Sequence, residues 1–410
     1  MVLNIAAIIN KRARRNKDKS RVAEEEALDL RRELGSCGLI SVDTTPKPEL
    51  VTSVCARYIE EGVNVVILSG GDGTVQNFLT HHFKELYRRY GRSMTPIEFA
   101  HALNRMALDP TSDVSLPALY HRSRGTVNAY ADTLGMRGDL EAIAENLTEA
   151  ERRHAGSGIT AFDRVYVPML LLYSKDEPRD LDKLHVMALY ADGSIYNFFE
   201  QYYAPKERGE DPSLLTAMRI IARGASSAML SAAVDAWSSR LAGSPELGRR
   251  FYRERFIEQT IRSTPGTVTV DGHALPYPAR SVTAIGTMSV SLYGIKPFWR
   301  MPHRPVDFGA YFPSQMEEIG SDLDYRGHTF QLFCGDISGM DIAKALHLLY
   351  LGRQTGIAGL TDTVARRVEI RQDVPLDVIV DGTRDSVGKS VVVEIAYLQP
   401  FIRLDRKPMK

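Results

Sequence analysis

The sequence predicts an α/β protein: a doubly wound N-terminal nucleotide-binding domain followed by a β-sandwich-like domain with helical insertions. Three observations lead there. Up to Asn77, short runs of β-branched and apolar residues alternate with stripes at helical spacing, the pattern of a parallel sheet covered on both faces. Residues 63–77, VNVVILSGGDGTVQN, set the most apolar of these runs directly against a glycine-rich turn. Beyond residue 156 the alternation stops and β-rich segments follow one another. A chain of 410 residues exceeds what one core usually supports. The expected division is 1–155 and 156–410, with a helical insertion near 211–261.

Leu3 to Ile9 is a buried strand that Asn10 ends. The helix after it carries Ala23, Ala27, Leu30 and Leu34 on one face, with Gly35 just past its end. Leu39 to Val42 is a second strand, and Thr45-Pro46 opens a helix whose buried stripe runs from Leu50 to Ile59. Val63 and Val65 to Leu68 form the third strand. Gly70-Gly71-Asp72-Gly73-Thr74 stands at its carboxyl end, where missing Cβ atoms let backbone N–H groups turn toward a phosphate and the next helix adds its dipole. Residues 88–115 make an unusually long connection. Within it, Thr95-Pro96-Ile97-Glu98 starts a helical insertion with Phe99, Leu103 and Met106 on one face. Leu116 to Tyr120 is the fourth strand. Gly125-Thr126-Val127-Asn128 then opens a helix that Gly135 stops. Asp139 caps a further helix with Leu140, Ile143 and Leu147 inward, and Gly156-Ser157-Gly158 reads as a linker.

In the second domain the expected strands are Val165 to Tyr173, Leu184 to Tyr190, Ile195 to Phe199 after an Asp192-Gly193 turn, Val268 to Val270, and Ser281 to Ile285. Met288 to Leu292, Thr329 to Phe333, Arg367 to Ile370, Leu376 to Val380 and Val391 to Tyr397 complete the set. Inside the helical block, Leu214, Met218 and Ile221 share a face, as do Met229, Ala233 and Trp237, a core-packing pattern.

Composition removes several function classes. Lys plus Arg and Asp plus Glu number 51 each, so no global field recruits nucleic acid. Cys37, Cys55 and Cys334 are far apart and without metal-ligand spacing, which suits a reducing compartment. No apolar run approaches the roughly 20 residues of a membrane span, and the order apolar then basic at the start reverses that of a secretory signal. A cytoplasmic protein without a transmembrane segment is expected. The basic cluster Lys11, Arg12, Arg14, Arg15 and Lys17 is either a solvated helix entrance or a source of side chains for ATP phosphates.

The pair Gly70-Gly71-Asp72-Gly73-Thr74 and Gly125-Thr126-Val127-Asn128, the second on a helix ending Leu134-Gly135, resembles the diacylglycerol kinase catalytic domain family. That family includes sphingosine, ceramide and bacterial lipid kinases. The first motif alone is shared with NAD kinases and some phosphofructokinases; the pair is narrower. Asn10 matches the family's early asparagine. The chain departs from the pattern in four places. Basic residues follow Asn10 where Ser-Gly is usual, Ser123 replaces a proline, Gln76-Asn77 replaces Asn-Glu, and Asp381-Gly382-Thr383 replaces Asp-Gly-Glu.

The resemblance implies ATP and Mg2+ as cofactors and a lipid alcohol, of diacylglycerol or sphingoid type, as substrate at a membrane surface. A homodimer is compatible with it. It implies nucleotide contacts from Asn10, Gly70, Gly71, Gly73, Thr74, Gly125, Thr126 and Asn128, and helices near 211–261 that cover a lipid pocket as a lid. The metal ligands stay unassigned, because Thr383 lacks the carboxylate that supports the metal in the family. Phosphoryl transfer to an alcohol requires N–H or cationic donors on the phosphates and a carboxylate for the hydroxyl proton. Asp72 is either that base or the organiser of magnesium, and Asp381 is the other candidate or simply a turn residue. A soluble-metabolite kinase of the NAD kinase type and a nucleotide-binding protein without kinase activity are the alternatives.

Overall fold

The computed structural model describes residues 3–11, 20–45, 49–109, 111–125, 128–136, 141–145, 147–148, 164–207, 215–223, 226, 261–291, 295–301, 306–307 and 328–402. Most of the basic cluster after Asn10, Thr126, Asp139 and the 156–158 linker lie outside them.

The N-terminal half builds β1 (Ile5–Asn10), α1 (Ser20–Leu34), β2 (Leu39–Thr45), α2 (Glu49–Glu60), β3 (Val65–Gly70), α3 (Asp72–Tyr90), α4 (Pro96–Leu108), β4 (Ala118–Ser123) and α5 (Ala129–Thr133). β1 pairs in parallel with β2 and β3, and β3 with β4. The order is therefore β2-β1-β3-β4. In such a sheet the chain leaves β1 toward one edge and returns to β3 on its other side, so a crevice opens between their carboxyl ends. Asn10 and Gly70 stand at those two ends. Both strands are buried along their apolar runs, because helices cover both faces.

The remaining strands are β5 (Arg164–Ser174), β6 (His185–Met187), β7 (Leu189–Gly193), β8 (Thr264–Val270), β9 (His273–Ala274), β10 (Ala279–Arg280), β11 (Val282–Gly286) and β12 (Val306–Asp307). They continue with β13 (Phe330–Gly335), β14 (Leu360–Ala365), β15 (Arg367–Gln372), β16 (Leu376–Val380), β17 (Thr383–Val387) and β18 (Ser390–Ile402). Six of them form a separate antiparallel sheet in the order β14-β13-β11-β7-β16-β17. It packs on β5, β6, β8, β15 and β18 through a core that includes Leu170, Tyr190, Ile285, Leu332, Val378 and Val393. Those latter strands share one sheet with the parallel strands, because Phe401 of β18 pairs with Leu119 of β4.

Several expectations change. Ile195 to Phe199 is not a strand: Leu189–Gly193 is the strand, and Ser194–Glu207 is a helix bearing Phe198, Phe199, Tyr202 and Tyr203 in mutual ring contact. Its aromatic side chains have high strand propensity, and packing over β7, β11 and β16 overrides it. Asp192 is no turn residue either; it lies in β7 between β11 and β16 and is buried. Met288 to Leu292 is buried at Met288 and Val290 but pairs with nothing as a strand over the described residues 288–291. In the helical block, residues 215–223 are helical, yet Met218 is exposed and Ala217 is the buried residue, so the expected stripe faces the wrong way. Leu214, Met229, Ala233 and Trp237 lie outside the described residues.

The insertion in 88–115 has a structural duty. Thr95 caps α4 with a capping box closed by Glu98. On that helix Asn104 Nδ2 donates to Leu398 O, and Asn104 Oδ1 accepts from Leu398 N, each at 2.8 Å. This satisfies buried backbone groups just past the irregularity between Ile395 and Tyr397 in β18.

Candidate active site

At the carboxyl edge of β1, β3 and β4 the two glycine motifs meet. Asn10 Nδ2 donates to Thr74 Oγ1 at 2.9 Å, tying the end of β1 to the first motif. Gly71 is the N-cap of α3 and provides no side chain for its first N–H groups; Thr74 N donates to Gly71 O at 2.8 Å, which leaves those of Asp72 and Gly73 open. They are the natural donors for a phosphate. A Cβ on Gly71 would stand 3.2 Å from Gly125 Cα, and one on Gly125 would stand 2.6 Å from Gly71 Cα. The space these glycines leave is thus filled by each other's backbone, and the two loops lie side by side. Asn128, held at φ 55, grips the second loop: its Oδ1 accepts from Gly125 N at 2.8 Å and its Nδ2 donates to Gly125 O at 3.1 Å. Its amide shapes the loop and is turned toward Gly125 at both ends.

Asp72 turns its carboxylate from α3 to the neighbouring helix, where Oδ1 accepts from Tyr130 N at 3.2 Å. It is half-buried. Burial pushes its pKa upward, opposed by His121 and the N–H groups of Ala129 and Tyr130. Asp381 sits deeper, 2% exposed, in the two-residue turn between β16 and β17, with φ 45 followed by Gly382 at φ 82. The turn reading therefore holds, but the residue does more than turn. Its Oδ2 accepts from Tyr130 Oη at 2.7 Å and its Oδ1 from Leu189 N at 2.8 Å, with Ala188 N at 3.2 Å from both oxygens. Burial raises its pKa to about 7 against the pull of those donors, and the charge of Asp72 adds to the rise.

Tyr130 consequently links the two acids, its N–H on Asp72 and its hydroxyl on Asp381. His121, buried on β4, stands edge-on to that ring. Its Nε2 lies 3.1 Å from Gly70 O. A carbonyl only accepts, so Nε2 carries the proton, and Nδ1 has no partner among the described residues. Burial lowers the His121 pKa, which keeps the ring neutral beside the loop. A third cluster supports the second motif from below. Glu26 Oε1, on α1, accepts from Ser69 Oγ at 2.8 Å, Arg122 Nη1 at 2.6 Å and Arg124 Nη2 at 3.4 Å. Two guanidinium groups are thereby fixed immediately before Gly125. Glu26, Arg122, Arg124, His121 and Tyr130 have no local signature as site residues, because their contacts join α1, β3, β4, α5 and the β16–β17 turn across the fold.

Magnesium finds a weaker fit than ATP phosphates. Asn77 and Thr383 are neutral, and among the described residues no three His, Cys, Asp or Glu side chains converge to hold a metal ion. Thr383 Oγ1 would stand 2.7 Å from a Cβ on Gly73, so the altered turn does border the first motif. No helix among the described residues is long and apolar enough to cross a membrane.

No curated protein sequence matches the chain. A crystal structure of a candidate diacylglycerol kinase from Bacillus anthracis str. Sterne aligns over 98% of this chain and 96% of its own, with a TM-score of 0.53 and 14% identity. At that identity the likeness is one of fold. A second diacylglycerol kinase structure from the same organism aligns over 98% and 96% at 14% identity, with a TM-score of 0.46. By sequence, the profile of the diacylglycerol kinase catalytic domain matches residues 4–158. That stretch holds Asn10, both glycine motifs and Tyr130, so the similarity to the diacylglycerol kinase catalytic domain covers the candidate site.

Proposed function

We propose that this protein transfers the γ-phosphate of ATP to a hydroxyl of a lipid alcohol of diacylglycerol or sphingoid type. The carrying observation is the meeting of Gly71 with Gly125 at the carboxyl ends of β3 and β4, beside the crevice between β1 and β3, with Asn10 bonded to Thr74 and Asp72 to Tyr130 N. The open N–H groups of Asp72 and Gly73 at the start of α3 would donate to a phosphate, with no capping side chain to displace. Asp72 is the accessible carboxylate of the pair, and its raised pKa suits a general base. ATP, when bound, would supply the phosphoryl group, and the N–H groups of Asp72 and Gly73 would meet its charge. Asp381 has donors on both oxygens and acts by holding Tyr130. The lipid acceptor is supported by the catalytic-domain profile, and the reaction belongs at the cytoplasmic surface of a membrane.

Incubation with γ-labelled ATP, magnesium and a panel of lipid alcohols should give a labelled lipid. Label appearing only in NAD or a sugar phosphate would point to a soluble-metabolite kinase. Nucleotide binding with no transfer to any acceptor would identify a binding protein without kinase activity.

A further inference from the structure

A separate cleft opens between α3 and the second half of the chain. It has a volume of about 300 Å³, and neither Asp72 nor Asp381 lines it. Gln76, Thr80 and Lys84 occupy successive turns of α3, so their side chains share one face, and that face lines the cleft. The opposite wall comes from β6 and the β16–β17 hairpin. Thr80 Oγ1 accepts from Val186 N at 3.0 Å, and His185 Nε2 lies 3.1 Å from Asp385 Oδ2. Thr383 lines one end and abuts Gly73, so the cleft begins where the first glycine motif ends.

Lys84 is the unusual member. It is only 9% exposed and lines the cleft, yet its ammonium has no hydrogen bond or ion pair among the described residues. Its stem is buried while the ammonium reaches the cleft, so only what enters the cleft can meet it. Burial lowers its pKa, with Arg88 adding to that, while Asp182, Asp385 and Asp180 act in the opposite sense and favour the protonated form. Those acids do not neutralise it in contact. The Asp385 carboxylate is taken by His185, which holds its pKa below the usual range. Asp180 is taken by Lys183. Asp182 lines the cleft at its more exposed end. Gln76 Nε2 is engaged with Thr80 Oγ1 at 3.0 Å and lies 3.4 Å from His185 Nδ1, so the wall offers the Lys84 ammonium and the Thr383 hydroxyl to whatever enters.

We propose that this cleft binds a phosphate monoester or inorganic phosphate, with Lys84 as its ionic anchor, as a site distinct from the nucleotide loops. An oxygen-rich anion completes the Lys84 ammonium and accepts from the Thr383 hydroxyl beside it. The proposal does not depend on the kinase reading, because it rests on Lys84 and the cleft alone.

Calorimetric titration of the full chain tests it, with inorganic phosphate, glycerol 3-phosphate and glycerol as probes, each repeated with saturating ADP. Phosphate alone and its monoester should bind one to one with and without ADP, and glycerol should not bind. A stronger signal from the monoester than from phosphate would identify an esterified headgroup as the ligand source, and the reverse would identify free phosphate. Lys84→Met, which keeps the apolar stem, should weaken binding about 10- to 100-fold, the usual effect of losing a charged hydrogen bond. Lys84→Arg should keep most of the affinity. Unchanged binding in Lys84→Met, competition by ADP, or equal binding of glycerol would overturn the proposal. A second measurement needs no variant: phosphate should slow acylation of the Lys84 amine in the unmodified protein, and lack of protection would equally overturn it.

Discussion

At the scale of single residues, Asp72 and Asp381 share Tyr130 but not their exposure. Asp72 is half-buried and accepts from backbone N–H groups of α5, whereas Asp381 is almost fully enclosed with donors on both oxygens. A base must reach its proton, so Asp72→Asn should reduce turnover by about a hundredfold to ten-thousandfold at saturating ATP. Asp381→Asn, whose amide can still meet Leu189 N and Tyr130 Oη, should cost less; abolition of turnover by Asp381→Asn with retention in Asp72→Asn would reverse the two roles. The same burial makes a stability prediction. The Asp381 pKa is raised to about 7 in the fold, above the roughly 3.9 of an unfolded chain. Between those values the folded state binds more protons than the unfolded one, so stability falls as pH rises, and it levels off above about 7. The slope is on the order of 1 kcal/mol per pH unit at most. Asn at 381 cannot titrate. Urea denaturation of both proteins at pH 5 and pH 7.5 should show the wild type losing stability relative to Asp381→Asn; a constant difference would contradict the raised pKa.

At the scale of elements, the site depends on two loops approaching closely. A Cβ on Gly125 would meet both Gly71 Cα and, at 3.0 Å, Asn128 Oδ1. Gly125→Ala should therefore push the loops apart and weaken ATP binding at least tenfold with little change in melting temperature, as read by nucleotide titration; unaltered affinity would mean that the second loop does not touch the nucleotide. These loops were legible in the sequence because a strand, a glycine run and a helix lie within about fifteen residues, and local spacing encodes all three. The same holds for α4, whose Thr95 cap and first-turn proline mark its start unambiguously. What spacing did not encode is what an element faces. Ser194–Glu207 folds as a helix although Ile195 to Phe199 is rich in strand formers, because β7 already fills that place in the sheet. Glu26, inside an ordinary helical stripe, gave no sign of reaching Arg122, since the contact spans 96 positions. Asp381-Gly382 announced its turn, but the donors on its carboxylate come from β7 and α5, which only the tertiary fold supplies.

At the scale of the whole molecule, β18 joins the two halves. Its thirteen residues are all buried, it pairs along its length with β5, and its end reaches β4 through Phe401 and Leu119. The Phe401 ring, fully buried, stacks on Tyr130 with centroids 5.6 Å apart. Tyr130 in turn holds Asp72 and Asp381, so the strand that closes the second half also sets the packing beneath the candidate site. Two halves sharing one sheet and this buried contact should unfold together. A single calorimetric transition is expected for the wild type. Phe401→Ala removes a ring from a filled core, which typically costs about 3–5 kcal/mol. It also frees Tyr130 to shift, so nucleotide affinity and turnover should fall although Phe401 itself meets no ligand. Phe401→Leu, which refills most of the volume, should recover stability ahead of activity, because an aliphatic side chain cannot hold the Tyr130 ring in the same stacked position. Two resolved transitions in the wild type, or full activity in a folded Phe401→Ala, would show that the seam does not couple the halves to the site.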